Sequence, residues 1–189
     1  MTIHYKITFY NNWHCGSGLS AGADIDLLVI KDKNRLPFVP GKTIKGLVKE
    51  AMTDILDFTG KGDAPINKLF GMPNAKETDE GKDSNEGDLF FTNANLSQEI
   101  ANEIIASKTA DYLYLSVSST AIAENGVADN HTLRKMEVTI PCDLYGKILN
   151  VPNEYVELLT KSLKFVKRLG QNRNRGLGRC DINVIDTTD

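Results

Sequence analysis

Between Lys161 and Arg179 the chain carries Lys161, Lys164, Lys167, Arg168, Arg173, Arg175 and Arg179 and no acidic residue. Gly170, Gly176 and Gly178 strip side chains from the same stretch, so backbone N–H groups can approach a phosphate closely. Arginines beside such amides offer forked donors to phosphate oxygens. A phosphate-backbone site is one reading; a solvated basic helix face followed by a loop is the other. A second segment, PGKTIKG, puts Lys42 and Lys45 in the first turn of a helix. Cations there oppose the helix dipole, a small cost that an arriving anion would remove. A third segment, GADIDLLVI, holds Asp24 and Asp26. On extended backbone the two would share a face, where carboxylates can hold a divalent cation or act as a general base. The alternative is a pair of aspartates closing a loop through backbone hydrogen bonds. His14, next to Trp13, could add an acid or base, or be structural.

These residues need elements to position them. IHYKITFYNN alternates apolar and polar residues and is expected to be a strand, followed by the Gly-rich WHCGSGLSAGAD. DLLVIKD has strand character, and LPFVPG interrupts any regular element. Ile44, Leu47, Val48, Ala51, Met52, Ile55 and Leu56 recur at helical spacing, with Thr43 or the residues just before it as the cap. Residues 59–88 are rich in Gly, Asp and Asn and read as a long surface insertion. DLFFTNANL is expected to be a strand, SQEIANEIIAS a short helix and DYLYLSVSST a strand. LRKMEVTIP and LYGKILNV are expected to form a hairpin. NEYVELLTKSLKFVKRLG predicts a second long helix, with Lys161, Lys164, Lys167 and Arg168 on it, before a Gly/Arg loop and the strand CDINVID. Two helices on one face of a mainly antiparallel sheet make an α+β fold, and a ferredoxin-like β-α-β-β-α-β core with insertions fits best.

Composition narrows the classes. The 189 residues are 41% hydrophobic and 25% charged, as expected for one soluble domain spanning 1–189. No apolar run approaches the roughly 20 residues needed to cross a bilayer. Nor does MTIHYKITFYNNW have the features of a signal peptide, so a cytoplasmic protein is expected. Cys15, Cys142 and Cys180, with His4, His14 and His131, show no close metal-ligand spacing, which argues against structural zinc. A net charge of −3 argues against a generic basic nucleic-acid coater. That sum, however, combines an acid-rich 76–88 segment with the basic 161–179 stretch.

Taken in order, these pieces resemble a known family. HCGSGLSAGADIDLLVIKDKNRLPFVPGKTIKGLVKEA is similar to the N-terminal signature of the RAMP superfamily of CRISPR-associated proteins. That signature has a His-x-Gly-x-Gly start (here His14, Gly16 and Gly18), an Asp before a strand, and a Pro-rich box ending in Lys-Gly (here Pro37 to Gly46). SSTAIAENGVADNHTLRKMEVTIPCDLYGKI resembles the central part, where a hairpin thumb (here 120–133) precedes a strand with an Arg and a Glu, here Arg134 and Glu137. RLGQNRNRGLGRCDI resembles the closing Gly-rich loop.

Within the superfamily the likeness is to backbone subunits of type III CRISPR effector complexes. It implies a modified RNA-recognition-motif fold, copies stacked with other effector subunits along a guide RNA, and a thumb that interrupts guide–target pairing. It also implies metal-dependent endonuclease activity on complementary target RNA, with Asp26 rather than Asp24 as catalytic and metal-holding residue and Mg²⁺ as the expected cofactor. RNA contacts would come from His14, Lys42, Lys45, Arg134, Arg168, Arg173, Arg175 and Arg179, with Gly16, Gly18, Gly176 and Gly178 as phosphate-loop glycines. The thumb segment AENGVADN is short, and Leu28 stands where the family often has Pro. Other readings are a non-catalytic terminal subunit, a guide-processing endoribonuclease, and an anion- or nucleotide-binding enzyme on a ferredoxin-like fold.

Overall fold

The structure is a computed structural model that describes residues 1–22, 24–60, 62–71 and 87–189. Lys61 and residues 72–86 of the expected insertion lie outside the described residues, and with them most of its acidic part.

Strand β1 (Thr2–Phe9) alternates as its sequence predicts, burying Ile3, Tyr5, Ile7 and Phe9 on one face. It is central, pairing antiparallel with β7 (Asp143–Leu149) on one side and β8 (Cys180–Thr188) on the other. Beyond β7 lie β4 (Ala94–Asn95) and β2 (Phe38–Val39), giving the order β2-β4-β7-β1-β8, and β3 (Phe90–Phe91) also pairs with β7. The expected single strand over DLFFTNANL is thus two short pieces. Thr92 and Asn93 between them turn out of the ladder, and Thr92 keeps its backbone bond to the Lys147 carbonyl at 3.0 Å.

Helix α1 (Gly41–Thr59) buries Ile44, Val48, Ala51, Met52 and Leu56 in the core shared with β1. Thr43 does not cap it. Pro40 occupies that position with no side-chain bond, and the Gly41 N–H donates instead to Asn93 Oδ1 at 2.9 Å. A Cβ on Gly41 would lie 2.1 Å from the Phe91 carbonyl oxygen, so only glycine lets the helix start this close to the sheet. Within the insertion, α2 (Ala64–Phe70) buries Ile66, Leu69 and Phe70, an element hidden in the polar composition around it. Helix α3 (Gln98–Ser107) is capped by Ser97 and buries no residue.

The hairpin expected from LRKMEVTIP and LYGKILNV does not form. β6 (Arg134–Thr139) pairs instead with β5 (Tyr114–Ser119) in a separate two-stranded sheet, while β7 joins the main sheet. The physical reason lies on β6. Its residues Met136 to Thr139 are buried by the segment after β1, which pairs with it through Trp13 and Leu27. β5 and β6 continue into a hairpin over 120–133, stabilised by the Ile122–Ala128 bridge and by Thr132 Oγ1 accepting the Ala121 N–H at 3.1 Å.

Helix α4 (Val156–Phe165) is shorter than its periodicity predicts, so Lys167 and Arg168 lie beyond it. Val166 turns the backbone to extended conformation, after which Cys180 N–H bonds the Lys167 carbonyl and Leu169 N–H bonds the Gly178 carbonyl. Ladder bonds and the burial of Leu169 outweigh helix continuation there. α1 and α4 pack together on the buried face of β1 and β8, making the fold α+β.

Candidate nucleic-acid interface

Residues 10–31 leave β1, cross to β6 and return toward α1, and this irregular segment carries Asp26. Its entry is fixed by Trp13, which stacks on Phe9 with ring centroids 4.4 Å apart and donates its indole N–H to the Ile140 carbonyl at 3.2 Å. Trp13 and Thr139 also exchange backbone bonds. Asp24 stands in the turn where its N–H bonds the Ala21 carbonyl, so it does not share an extended face with Asp26. Two residues on, the Asp26 N–H donates to the Lys135 carbonyl at 2.9 Å, and Asp26 Oδ2 accepts the Lys135 N–H at 2.8 Å. This closed pair with β6 holds the carboxylate while its Oδ1 has no hydrogen-bond partner among the described residues.

Glu137 anchors the same segment from four directions. Its N–H donates to the Leu27 carbonyl at 2.9 Å and its carbonyl meets His14 Nδ1 at 2.6 Å. Its carboxylate accepts the Val29 N–H at 3.0 Å and holds Lys31 Nζ at 2.7 Å. Lys31 in turn lies 3.9 Å from the centroid of Tyr114, whose hydroxyl donates to the Arg35 carbonyl. Burial, then the nearby Glu137 carboxylate, pushes the Tyr114 phenol above its ordinary pKa. Glu137 is therefore a buried carboxylate with both charge and hydrogen bonds matched.

His14 is fully buried, with Nε2 unpartnered, so its side chain presents no surface to a ligand in this structure. Gly16 packs on its ring: a Cβ there would be 3.1 Å from Nε2. Gly170 packs on its carbonyl.

The Gly/Arg loop folds back onto the strap formed by Tyr10 to His14. Tyr10 N–H bonds the Arg179 carbonyl at 2.9 Å, Gly178 N–H bonds the Asn12 carbonyl at 2.9 Å, and Gln171 N–H bonds the His14 carbonyl at 2.9 Å. A Cβ on Gly178 would fall 1.9 Å from the Leu169 carbonyl oxygen, whereas Gly18 and Gly176 have positive φ and open space around them. Gly16 and Gly178 are thus packing glycines, and Gly18 and Gly176 are the two whose backbone is uncrowded.

This folding sorts the basic residues into groups. A cleft of about 530 Å³ brings Asp26 together with Arg134, Arg175, Gln171, Asn172 and Ser119 over an apolar floor of Leu27, Val117, Met136 and Leu177. Arg168 and Arg173 face a different depression against α1. There Arg173 lies 4.0 Å from Glu50, and Arg168 donates to the Arg173 carbonyl at 2.8 Å. Arg179 sits over the ring of Tyr10 at 5.9 Å. Nearby, hydrogen bonds from Lys167 and then Tyr10 hold the Asp181 carboxyl below its usual pKa. Lys42 and Lys45 stay on the first turn of α1 and do not line the Asp26 cleft. Apart from Arg173, none of these arginines has a carboxylate at ion-pair distance among the described residues. Sequence reasoning missed Gln171 and Asn172, which line the cleft, Asn11, which bonds the Gly/Arg loop from the strap, and Lys31, which pairs with Glu137. The Asn11–Asn12 dipeptide at a strand end was the available signal, since such pairs fold back on neighbouring backbone.

Among the described residues no three His, Cys, Asp or Glu side chains gather as a metal-binding group. Asp26 offers one hard oxygen, which suits Mg²⁺ held by one carboxylate with water and substrate phosphate supplying the rest.

No curated protein matches the chain. Among solved structures, a chain of a type III-B Cmr-beta complex bound to cognate target RNA superposes with a TM-score of 0.70 at 12% identity, covering 97% of both chains. A chain of the same complex type in its apo state gives 0.70 and 12% over 98% of both. At that identity the likeness establishes the fold. The family model of the RAMP superfamily matches residues 6–181, from β1 through the Asp26 segment and the Gly/Arg loop into β8, and the chain belongs to that superfamily.

Proposed function

We propose that this protein is a backbone subunit of a type III CRISPR ribonucleoprotein that binds guide RNA through its Gly/Arg loop and cuts complementary target RNA at Asp26. The observation that carries this reading is the cleft that joins the Asp26 carboxylate to Arg134 and Arg175. Further support comes from the superfamily membership and from the likeness to complexes that include one bound to target RNA. The chain order β1-α1-β3/β4-β7-α4-β8, with α1 and α4 on one face of the sheet, supports a ferredoxin-like, RNA-recognition-motif type core. Other effector subunits and further copies of the chain would be its partners, in the cytoplasm.

The chemistry asks little of the protein. RNA supplies the 2′-OH nucleophile, so what is required is in-line geometry, removal of a proton and screening of developing charge. Arg134 and Arg175 would hold a phosphate in the cleft by forked hydrogen bonds. The closed backbone pair with Lys135 holds Asp26 through Oδ2 and leaves Oδ1 without a hydrogen-bond partner among the described residues. Mg²⁺ on that oxygen would supply positive charge and lower the pKa of a bound hydroxyl or water. The apolar floor and the adjacent hairpin would accommodate a nucleotide displaced from pairing.

Asp26→Ala tests the reading. An assembled complex carrying it should retain guide RNA yet lose target cleavage by at least a hundred-fold; undiminished cutting would overturn the assignment. The isolated carboxylate also suits a non-cutting RNA-binding subunit, which Asp26→Ala would leave unchanged and which would occur once per complex. The burial of His14 weighs against guide processing with that residue as base.

A further inference from the structure

Asn11 lies outside the cleft and carries no charge, yet its side-chain amide ties residues 176 to 179 of the Gly/Arg loop to the strap at 10–14. Its Nδ2 donates to the Gly176 carbonyl, and its Oδ1 accepts the Arg179 N–H at 2.8 Å. One planar amide thus spans residues 176 to 179, satisfying an acceptor at one end and a donor at the other. Asp could accept but not donate, and Ala could do neither. Backbone bonds complete the closure, from Gly178 N–H to the Asn12 carbonyl and from Leu169 N–H to the Gly178 carbonyl. At the far side, Gln171 N–H bonds the His14 carbonyl, and Arg175 N–H bonds the carbonyl of Asn172, which has a φ of 53°. Arg175 immediately precedes one residue bound by the Asn11 amide, and Arg179 is the other.

We infer that Asn11 is a positioning residue for RNA: its side-chain amide presets the loop so that Arg175 and Arg179 meet phosphate oxygens without first being ordered. The inference rests on the RNA-binding reading above. Its physical content is entropy. A glycine-rich loop free to sample many conformations must be ordered when it binds, and a loop already closed by hydrogen bonds does not incur that cost.

The experiment measures binding of a fluorescein-labelled oligouridine to the full chain across a salt series, with thermal unfolding recorded for each variant. Asn11→Ala should weaken binding on the order of ten-fold, the cost of about one or two lost hydrogen bonds. It should also flatten the slope of log affinity against log salt, as the double variant Arg175→Gln/Arg179→Gln does. Decisively, adding Asn11→Ala to that double variant should weaken binding no further, because Asn11 acts only through those arginines. Asn11→Asp, which keeps the bond to Arg179 N–H and loses the one to Gly176, should fall between wild type and Asn11→Ala. It also serves as the test variant if Asn11→Ala does not fold. Wild-type affinity in both Asn11 variants, or a loss that multiplies with that of the arginine variants, overturns the inference. Absence of salt-dependent RNA binding by the wild-type chain overturns instead the reading on which it rests.

Discussion

At the scale of single residues the protein is organised around carboxylates with different duties. Asp26 lines the cleft and keeps one oxygen in a backbone pair with β6, while the other has no hydrogen-bond partner among the described residues. Glu137 spends both oxygens on structure, one on the Val29 N–H and one on Lys31, with side-chain exposures of 11% and 21% for the ion pair. Removing a partner from such a pair leaves a buried charge and an unsatisfied amide. Glu137→Ala is expected to destabilise the fold by about 3 kcal/mol in urea unfolding. Combining it with Lys31→Met should recover part of that loss, since the double change leaves no unpaired ammonium. A cost additive in the two changes would show that the pair is not coupled.

At the scale of elements, the Gly/Arg loop works as a closed lid on the strap at 10–14 rather than as a loose connection. Its glycines are not equivalent. Gly176 needs its left-handed φ of 89° but has open space, so Gly176→Ala should cost about 1 kcal/mol of backbone strain. Gly178 has a φ of 69° and also abuts the Leu169 carbonyl, so Gly178→Ala must push two backbone segments apart. It should lower the thermal midpoint clearly more than Gly176→Ala does. Equal midpoints would mean that the loop yields there. The same ladder explains why α4 stops at Phe165. The helical periodicity through Leu169 is real, but Leu169 is buried by pairing with Gly178 and not by another helical turn.

At the scale of the whole molecule, net charge misleads. The total of −3 sums charges over the whole chain, whereas screening limits each exposed charge's reach to roughly 8–10 Å. Affinity for RNA should therefore follow the local arginines. Log affinity should fall steeply and linearly with log salt, and each arginine contact removed by Arg134→Gln or Arg175→Gln should reduce the slope by about 0.7 for single-stranded RNA. A slope indifferent to these substitutions would place the RNA elsewhere on the surface.

Sequence alone was enough for the features that depend on neighbouring residues. The alternation of β1, the stripe of α1 and the basic Gly-rich segment could all be read from local pattern. What tertiary structure decided was pairing and company. β6 looks as ready to pair with β7 as with β5, and only the burial of Met136 to Thr139 by the distant Trp13–Leu27 segment sends it to the smaller sheet. Sequence left His14 as either an acid or base or a structural residue, and packing by Gly16 and Gly170 with a bond to the Glu137 carbonyl makes it structural. The seven basic residues of 161–179 form one run in sequence but are divided in space, with Arg175 beside Asp26 and Arg168 and Arg173 against α1. Asn11 is unremarkable by type and spacing because its partners lie more than 160 positions away. Local pattern records propensity, while these assignments follow from long-range hydrogen bonds and burial that exist only once the chain has folded.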